Sequence, residues 1–440
     1  MQIKKVFLWS VTVALGGLLF GIDTAVISGA EQEIQRLWNL NVFEHGLTVS
    51  IALIGTVVGA LFGGIPTDRL GRKKTLFWIA VLYFVSALGA AIAPEWYSFL
   101  FFRLLGGFGV GASSVTAPMY ISEVAPASHR GKLVALFQAN VVFGILVAYL
   151  SNYLLQDAGP NAWRWMLGME VFPALFFLIA ILYVPESPRW LIVSKGMVKE
   201  AEAIFAAVNP ETASAEVKAV LDDQAKSSSL KQENLFSRKY QVPVTLAILF
   251  AVFNQVSGIN AIIYYAPRIF EMTGAGTSSA LLSTLGIGVV NFIFTMTAMF
   301  FIDRFGRKKL MYTGSIGLIA TLALVSHAFY TSQFEFVPIY LFVYIGFFAF
   351  SQGAVIWVFI SEIFPNTVRA KGTSLGSFTH WFMASVIAFS FPYITEKLGG
   401  GNSFMIFTIM MVLQLLFVWR MMPETGGKSL EQLGESIERK

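Results

Sequence analysis

The chain has 440 residues, mean hydropathy +0.67, 56% hydrophobic residues, 13% charged residues and a formal net charge of +5. That charge content is about half the ~25% of a soluble protein, too little to cover a water-facing surface of this size, so soluble-enzyme, disordered and collagen-like classes are excluded. The absence of Cys rules out a disulfide scaffold, a Cys-ligated metal centre and a thiol nucleophile, and the four His (45, 129, 327 and 380) lack metal-ligand spacing.

Crossing ~30 Å of hydrocarbon takes about 20 apolar residues. In chain order such runs fall near 7–30, 46–66, 75–93, 97–120, 133–155, 165–184, 242–270, 278–301, 310–330, 337–360, 372–394 and 403–422. They predict an all-α polytopic membrane protein of twelve transmembrane helices, six before a polar stretch and six after it. The first run follows Lys4 and Lys5 as a secretory signal would. It also carries Asp23 and heads a series of spans, so it reads as a retained helix. Of the 31 Lys and Arg, 26 lie in one set of connections, four in the opposite set, and Arg103 lies inside a span. The positive-inside bias therefore predicts an inner-membrane, multi-pass chain with both termini cytoplasmic. Topology accounts for the basic balance, so no nucleic-acid partner is expected. The polar stretch 187–240 has helical periodicity around 197–208 and 214–225 and includes Ser227–Ser229. The expected organisation is a six-helix half over 1–186, a cytoplasmic helical linker over 187–240, and a second six-helix half with a short tail over 241–440.

Three motifs repeat in order at nearly one spacing. D-R-L-G-R-K-K at 68–74 recurs as D-R-F-G-R-K-K at 303–309, an offset of 235. I-S-E-V-A-P-A-S-H-R at 121–130 recurs as I-S-E-I-F-P-N-T-V-R at 360–369, an offset of 239. P-E-S-P-R at 185–189 is echoed by P-E-T-G-G at 423–427, an offset of 238. Two similar halves in one orientation are the parallel repeat of a rocker-type transporter, with its site where the repeats meet.

The paired D-R-x-G-R-K motifs resemble the signature of the major facilitator superfamily. P-E-S-P-R-W-L after span six, P-E-T after span twelve and Q-V-S-G-I-N-A-I-I-Y-Y-A-P at 255–267 are similar to the sugar porter family, over about residues 16–428. That family contains bacterial proton–monosaccharide symporters and animal glucose and fructose facilitators. The resemblance implies a secondary transporter that imports a hexose or pentose with a proton by alternating access.

Carboxylates and guanidiniums at helix ends can form bidentate pairs. Asp68, Arg69, Arg72, Glu123, Arg130, Glu186, Arg189, Asp303, Arg304, Arg307, Glu362, Arg369 and Glu424 are placed for such pairing. Exposed pairs are individually worth ~0–1 kcal/mol, but a network made in one global state biases an equilibrium. The resemblance implies that these residues form a cytoplasmic gate. The plainer reading is positive-inside topology alone.

Ionisable residues inside spans are costly and mark function. Asp23 and Arg103 are the deep ones, and Glu170 lies near the start of span six. Asp23 can switch between pairing with Arg103 and release from it; the competing reading is a static ion pair. In the family an acid at the Asp23 position accompanies proton coupling, and an amide accompanies passive uniport. On the family pattern the sugar-contacting residues are Phe20, Gln138, Asn254, Gln255, Asn260, Tyr264, Asn291, Trp357, His380 and Trp381. Amides pair with hydroxyls and indoles cover C–H faces, although any one amide could simply bond between helices. Tyr265 and Phe391 read as gate or packing aromatics.

The sequence departs from the family in three places. Asn254–Gln255 stands where two glutamines are usual. Gly353–Ala354 replaces Gly-Pro, which removes a helix breaker from span ten and is expected to alter its flexing. His380 takes a position more often held by an amide and leaves the identity of the sugar open. A proton-independent uniporter is the alternative within transport. A transporter-like sugar sensor is disfavoured by the tail of under twenty residues after Pro423, and a membrane enzyme by the lack of a nucleophile–base or metal constellation. No cofactor or metal is expected. The expected partners are a monosaccharide, protons and the lipid bilayer, with the protein a monomer.

Overall fold

The structure, a computed structural model, describes residues 3–126, 129–229, 233–365 and 367–426, without the side chains of Ile3, 226–229 and Asp303. Hydrocarbon offers the backbone no hydrogen bonds, so each crossing segment must satisfy its own amides as a helix. The first six spans lie within Ile3–Leu37, Val42–Phe62, Arg72–Ile92, Trp96–Val124, Arg130–Leu155 and Ala162–Tyr183. Four more follow within Arg238–Met272, Thr277–Phe305, Arg307–Thr331 and Val337–Glu362. The last helix, Arg369–Arg420, has 52 residues. At 1.5 Å per residue that is about 78 Å, more than twice the ~30 Å core. Gly399, at φ 78° and ψ 165°, breaks it into an eleventh and a twelfth span. A φ in this region is open to glycine and strained for a residue with a Cβ.

Two further spans are broken. The seventh divides into Gln241–Gln255 and Ile259–Met272 around Gly258, at φ 86°. The tenth divides into Val337–Phe350 and Gln352–Glu362 at Ser351, with φ −115° and ψ −86°. Span ten is interrupted without a proline at Ala354. The Ser351 hydroxyl donates to the Phe347 carbonyl at 2.6 Å, a group that also accepts from the Ser351 amide at 3.1 Å. The same hydroxyl occupies the space a Cβ at Gly314 would need, 1.9 Å away.

The polar stretch folds as three short helices, Pro188–Lys195, Val198–Val208 and Ala213–Ser229. The first is legible in P-E-S-P-R: Ser187 caps it by accepting from the Trp190 amide at 3.2 Å, Pro188 takes the first turn, and Gly196 ends it at φ 66°. Trp190, Leu191, Ala201, Phe205, Val217 and Val220 form the common apolar core of the three helices.

Packing groups the chain into two compact units. One comprises 1–26, 54–148 and 160–231; the other comprises 27–53, 149–159 and 232–440. This grouping cuts across the sequence halves, because the ends of spans one, two and five remote from the D-R-x-G-R-K loops pack with the C-terminal half. Within the first unit, spans one and five cross at Gly21 and Gly144. A Cβ at Gly21 would lie 2.0 Å from the Val141 carbonyl, so only backbones fit there.

At Gly258 both constraints meet, since an added Cβ would be strained by φ and would fall 2.5 Å from the Phe407 ring. Gly258→Ala is expected to lose about 2 kcal/mol or more, seen as a lower melting temperature of the purified protein in detergent. Gly159, also at positive φ but with open space around it, provides the control: Gly159→Ala is expected to lose less.

Candidate functional site

In the first unit Asp23 and Arg103 form a buried pair, 3% and 2% exposed. Arg103 Nη1 donates to Asp23 Oδ1 at 2.5 Å and Nη2 donates to the Asp23 carbonyl at 3.0 Å. The approach of spans one and four here depends on a small residue, because a Cβ at Gly106 would lie 3.3 Å from Asp23 Oδ1 and 2.4 Å from the Ser86 hydroxyl. Glu170 is 2% exposed, lies at the junction between Ala162–Gly168 and Val171–Ala180, and is close enough to be influenced by both charges of the pair. Its Oε1 has no hydrogen-bond partner among the described residues. An unpaired anion is costly at such a position. Phe20, one turn before Asp23, packs edge-on against Phe137 at 6.5 Å, and Gln138 is part-buried beside it on the fifth span.

In the second unit the break in span seven gathers amides. Asn260 Nδ2 donates to Gln255 Oε1 at 2.5 Å, and Gln255 Nε2 donates to Asn254 Oδ1 at 2.9 Å. Gln255 Nε2 also lies 3.2 Å from both ring nitrogens of His380, so the amide sits over the imidazole. Trp357 is 4.8 Å from the His380 ring and 6.3 Å from Trp381. Six of the residues named from the sequence are thus one connected cluster on spans seven, ten and eleven. Asn291 is not joined to it by a hydrogen bond; its Oδ1 accepts from Thr295 Oγ1 at 3.4 Å within the eighth span. Tyr264 is buried, 1% exposed. Tyr265 stacks near Phe391 at 5.3 Å and donates to the Ala388 carbonyl at 2.8 Å.

The repeated loops build matching networks. Arg72 clasps Glu123 with two bonds of 2.9 Å and reaches Asp68 at 3.2 Å. Glu186 accepts from the amides of Arg72, Lys73 and Ser187 at 2.9, 3.0 and 2.8 Å. In the second copy Arg307 donates to Glu362 at 2.9 Å, and Glu424 accepts from the amides of Arg307 and Lys308 at 2.9 and 3.0 Å. Glu186 and Glu424 therefore cap the spans that begin at Arg72 and Arg307, where the helix dipole favours an anion. Arg69 and Arg304 are exposed. Arg189 meets Asp223 at 3.7 Å on the surface, and Arg369 Nε donates to the Phe364 carbonyl at 3.1 Å. Arg130 lines a cleft with Glu123, Arg189 and Asp223. The side chain of Asp303 lies outside the described residues.

Sequence reasoning missed two buried polar groups. Gln352 donates to Gln414 at 2.8 Å, and Gln414 donates to the Ser315 hydroxyl at 3.2 Å. Glu31, Gln35, His45 and Arg268 join the ends of spans one, two and seven. Glu31 and His45 stand just outside the apolar runs 7–30 and 46–66, where a polar residue is ordinarily read as facing headgroups and water. Outside the spans, the Tyr240 hydroxyl donates to Glu233 and holds its carboxyl below the usual range.

With this geometry the chain matches the Sugar (and other) transporter family over residues 9–436. It is 36% identical to the D-xylose-proton symporter of Escherichia coli (strain K12), covering 98% of this chain and 96% of that one. It is 36% identical to the glucose transporter GlcP of Staphylococcus epidermidis, covering 96% and 94%. The fold superposes on the inward open conformation of the xylose transporter XylE from E. coli with a TM-score of 0.87, at 34% identity, over 98% of this chain and 99% of that one. The chain belongs to the sugar transporter family of the major facilitator superfamily, a multi-pass membrane transporter and not an enzyme.

Arg103→Ala leaves the Asp23 carboxylate buried without its cation. The expected cost at neutral pH is about 3–5 kcal/mol, read as a fall in melting temperature. Combining it with Asp23→Asn should recover most of that loss, and an additive double variant would show that the two groups do not act as a pair.

Proposed function

We propose that the protein imports a monosaccharide, a pentose or a hexose, together with a proton across a bacterial inner membrane. Both termini and the D-R-x-G-R-K loops face the cytoplasm, the transporting unit is a monomer, and the two six-helix halves alternate around the site. The observation that carries this reading is the dry Asp23–Arg103 pair, a carboxylate with one cationic partner in hydrocarbon. The amide and indole cluster of Asn254, Gln255, Asn260, Trp357, His380 and Trp381 supports a polyhydroxylated ligand, with Phe20, Gln138, Tyr264 and Asn291 as further contacts. The arginine–carboxylate networks at the loops act as the cytoplasmic gate. The named activity of the E. coli relative supports the proton.

A proton arriving from outside neutralises Asp23 and frees Arg103, and the loaded carrier closes. Loss of the proton to the cytoplasm restores the pair and resets the empty carrier, with Glu170 beside them to hold or pass the proton. One pH unit supplies about 1.4 kcal/mol, and 100 mV about 2.3 kcal/mol per charge. For one proton per sugar the two together support roughly 500-fold accumulation at ~1.4 kcal/mol per decade.

Gln255→Ala removes the amide that links three neighbours in the cluster. Sugar affinity, titrated calorimetrically across glucose, xylose and arabinose, is expected to weaken by about 1–3 kcal/mol for the transported sugar. Unchanged affinity for all three would move the binding site away from span seven.

Asp23→Asn fixes the neutral form. Vesicles carrying it should exchange labelled sugar downhill at near the parent rate and lose uphill accumulation under an imposed pH gradient. Accumulation that persists assigns the proton to another group, with Glu170 next to be tested.

A further inference from the structure

Glu31 and Gln35 lie one turn apart near the end of the first span, His45 lies in the first turn of the second, and Arg268 follows Pro267 in the second piece of the seventh. Arg268 Nε donates to Glu31 Oε1 at 3.0 Å, and Nη2 donates to Oε2 at 2.9 Å and to Gln35 Oε1 at 2.5 Å. His45 Nε2 stands 2.8 Å from Glu31 Oε2. Glu31 and His45 are fully buried, at 0% exposure, and neither ring nitrogen of His45 completes a hydrogen bond among the described residues, its approach to Glu31 being an ion-pair distance. This cluster lies at the far ends of the spans from the D-R-x-G-R-K loops, which the proposed topology makes the outer side.

Three further contacts close the same end. Phe43 packs edge-on against Phe389 at 4.9 Å, Tyr149 donates to the Ile263 carbonyl at 2.8 Å, and a Cβ at Gly46 would fall 2.3 Å from the Phe389 carbonyl. Spans one, two and five are thus shut against spans seven and eleven, and the shared carboxylate of Glu31 is the charged part of that seal. We propose that Glu31, His45 and Arg268 form a second protonation site, a latch on the outer gate that proton uptake from outside releases.

The direction follows from counting charge. With His45 neutral, the latched cluster holds one carboxylate and one guanidinium and is balanced. A further proton has two places to go. On His45 it creates an imidazolium beside a cation already paired, with a buried Nδ1–H that nothing accepts. On Glu31 it forms a carboxyl O–H and strips Arg268 of its counter-ion. Glu31 and His45 are shut from water while the Arg268 side chain is 26% exposed, so both outcomes are penalised at the closed end and relieved when the ends separate and hydrate. The open form therefore binds the proton more readily, and acid outside favours opening. The other ionisable groups around the cluster do not supply a competing switch. Tyr265 faces His45 at 6.0 Å with its hydroxyl engaged on Ala388, Glu271 acts on Arg268 from the same helix, and Glu44 is turned to the Asn41 amide. Glu33 pairs with Arg36 at the surface. The outer face is the proton-rich side for an importer, so the latch would ready the empty carrier for loading.

The latch rests on the alternating-access import proposed above, and its test is read without sugar. Because the chain has no Cys, Leu37→Cys and Lys397→Cys place a spin-label pair on exposed positions at this end. The inter-label distance is measured by pulsed EPR on the full chain between about pH 8 and about pH 5.5, spanning the ordinary ranges of His and the approach to that of Glu. The longer-distance population should rise on acidification, by at most about tenfold per pH unit for one proton. His45→Gln should stay latched and lose this response within that window. Glu31→Gln should populate the longer distance already at about pH 8, and adding Arg268→Gln, which removes the unpaired cation, should restore the shorter one. A labelled parent whose distance ignores pH overturns the proposal, as does an unchanged response in His45→Gln; neither result depends on how the Glu31 variants fold. Uphill transport that survives in Asp23→Asn would overturn the coupling role of Asp23 and leave these distances unaffected.

Discussion

A charge or an amide in hydrocarbon has no water to fall back on, and nearly every polar feature of this protein follows from that. Asp23 takes two bonds from Arg103, the first to a carboxylate oxygen and the second to its own carbonyl. A single added proton removes the reason for the pair to exist. A buried ion pair is poor stabilisation and a good switch, because breaking it in place is expensive while neutralising it is not. Glu170, with an unpartnered oxygen close by, extends the same logic to a third group.

The same constraint explains how broken helices are tolerated at depth. A break exposes carbonyls and amides, and nearby side chains bond to the backbone beside it. Ser351 bonds back to Phe347 in span ten. In span seven, the Ser257 hydroxyl donates to the Asn254 carbonyl at 2.6 Å, and the Tyr344 hydroxyl donates to the Ser257 carbonyl at 2.9 Å. The break in span seven turns Asn254, Gln255 and Asn260 into mutual partners and sets them against His380. The amide cluster is therefore a consequence of an interrupted helix, and its amides are paired with one another.

The repeated loops show what the repeat is for. Gly71 at φ 98° and Gly306 at φ 80° let Glu186 and Glu424 come up against the amides that begin spans three and nine. A Cβ at either glycine would lie 2.3 or 2.7 Å from the capping carboxylate. The motif D-R-x-G-R-K is thus a helix start read through its glycine, with the arginine after it free to clasp a carboxylate on the next span. Each network lies within a single packing unit and so stiffens that unit.

Much was legible in the sequence because hydrocarbon thickness is a ruler. Twenty-residue apolar runs fixed the spans, and the 235–239 spacing of three motifs fixed the parallel repeat. The scarcity of charge inside spans singled out Asp23, Arg103 and Glu170, and the family pattern named six residues that turn out to share one cluster. Tertiary structure alone decided the rest. Which amides touch depends on the turn at Gly258, and the close approach of Ser351 to Gly314 joins two different helices. The partnership of Glu31 with His45 and Arg268 joins residues 237 positions apart at the far pair. No local pattern encodes such a meeting, because burial at a helix end is set by what packs against it, and a sequence shows only the helix.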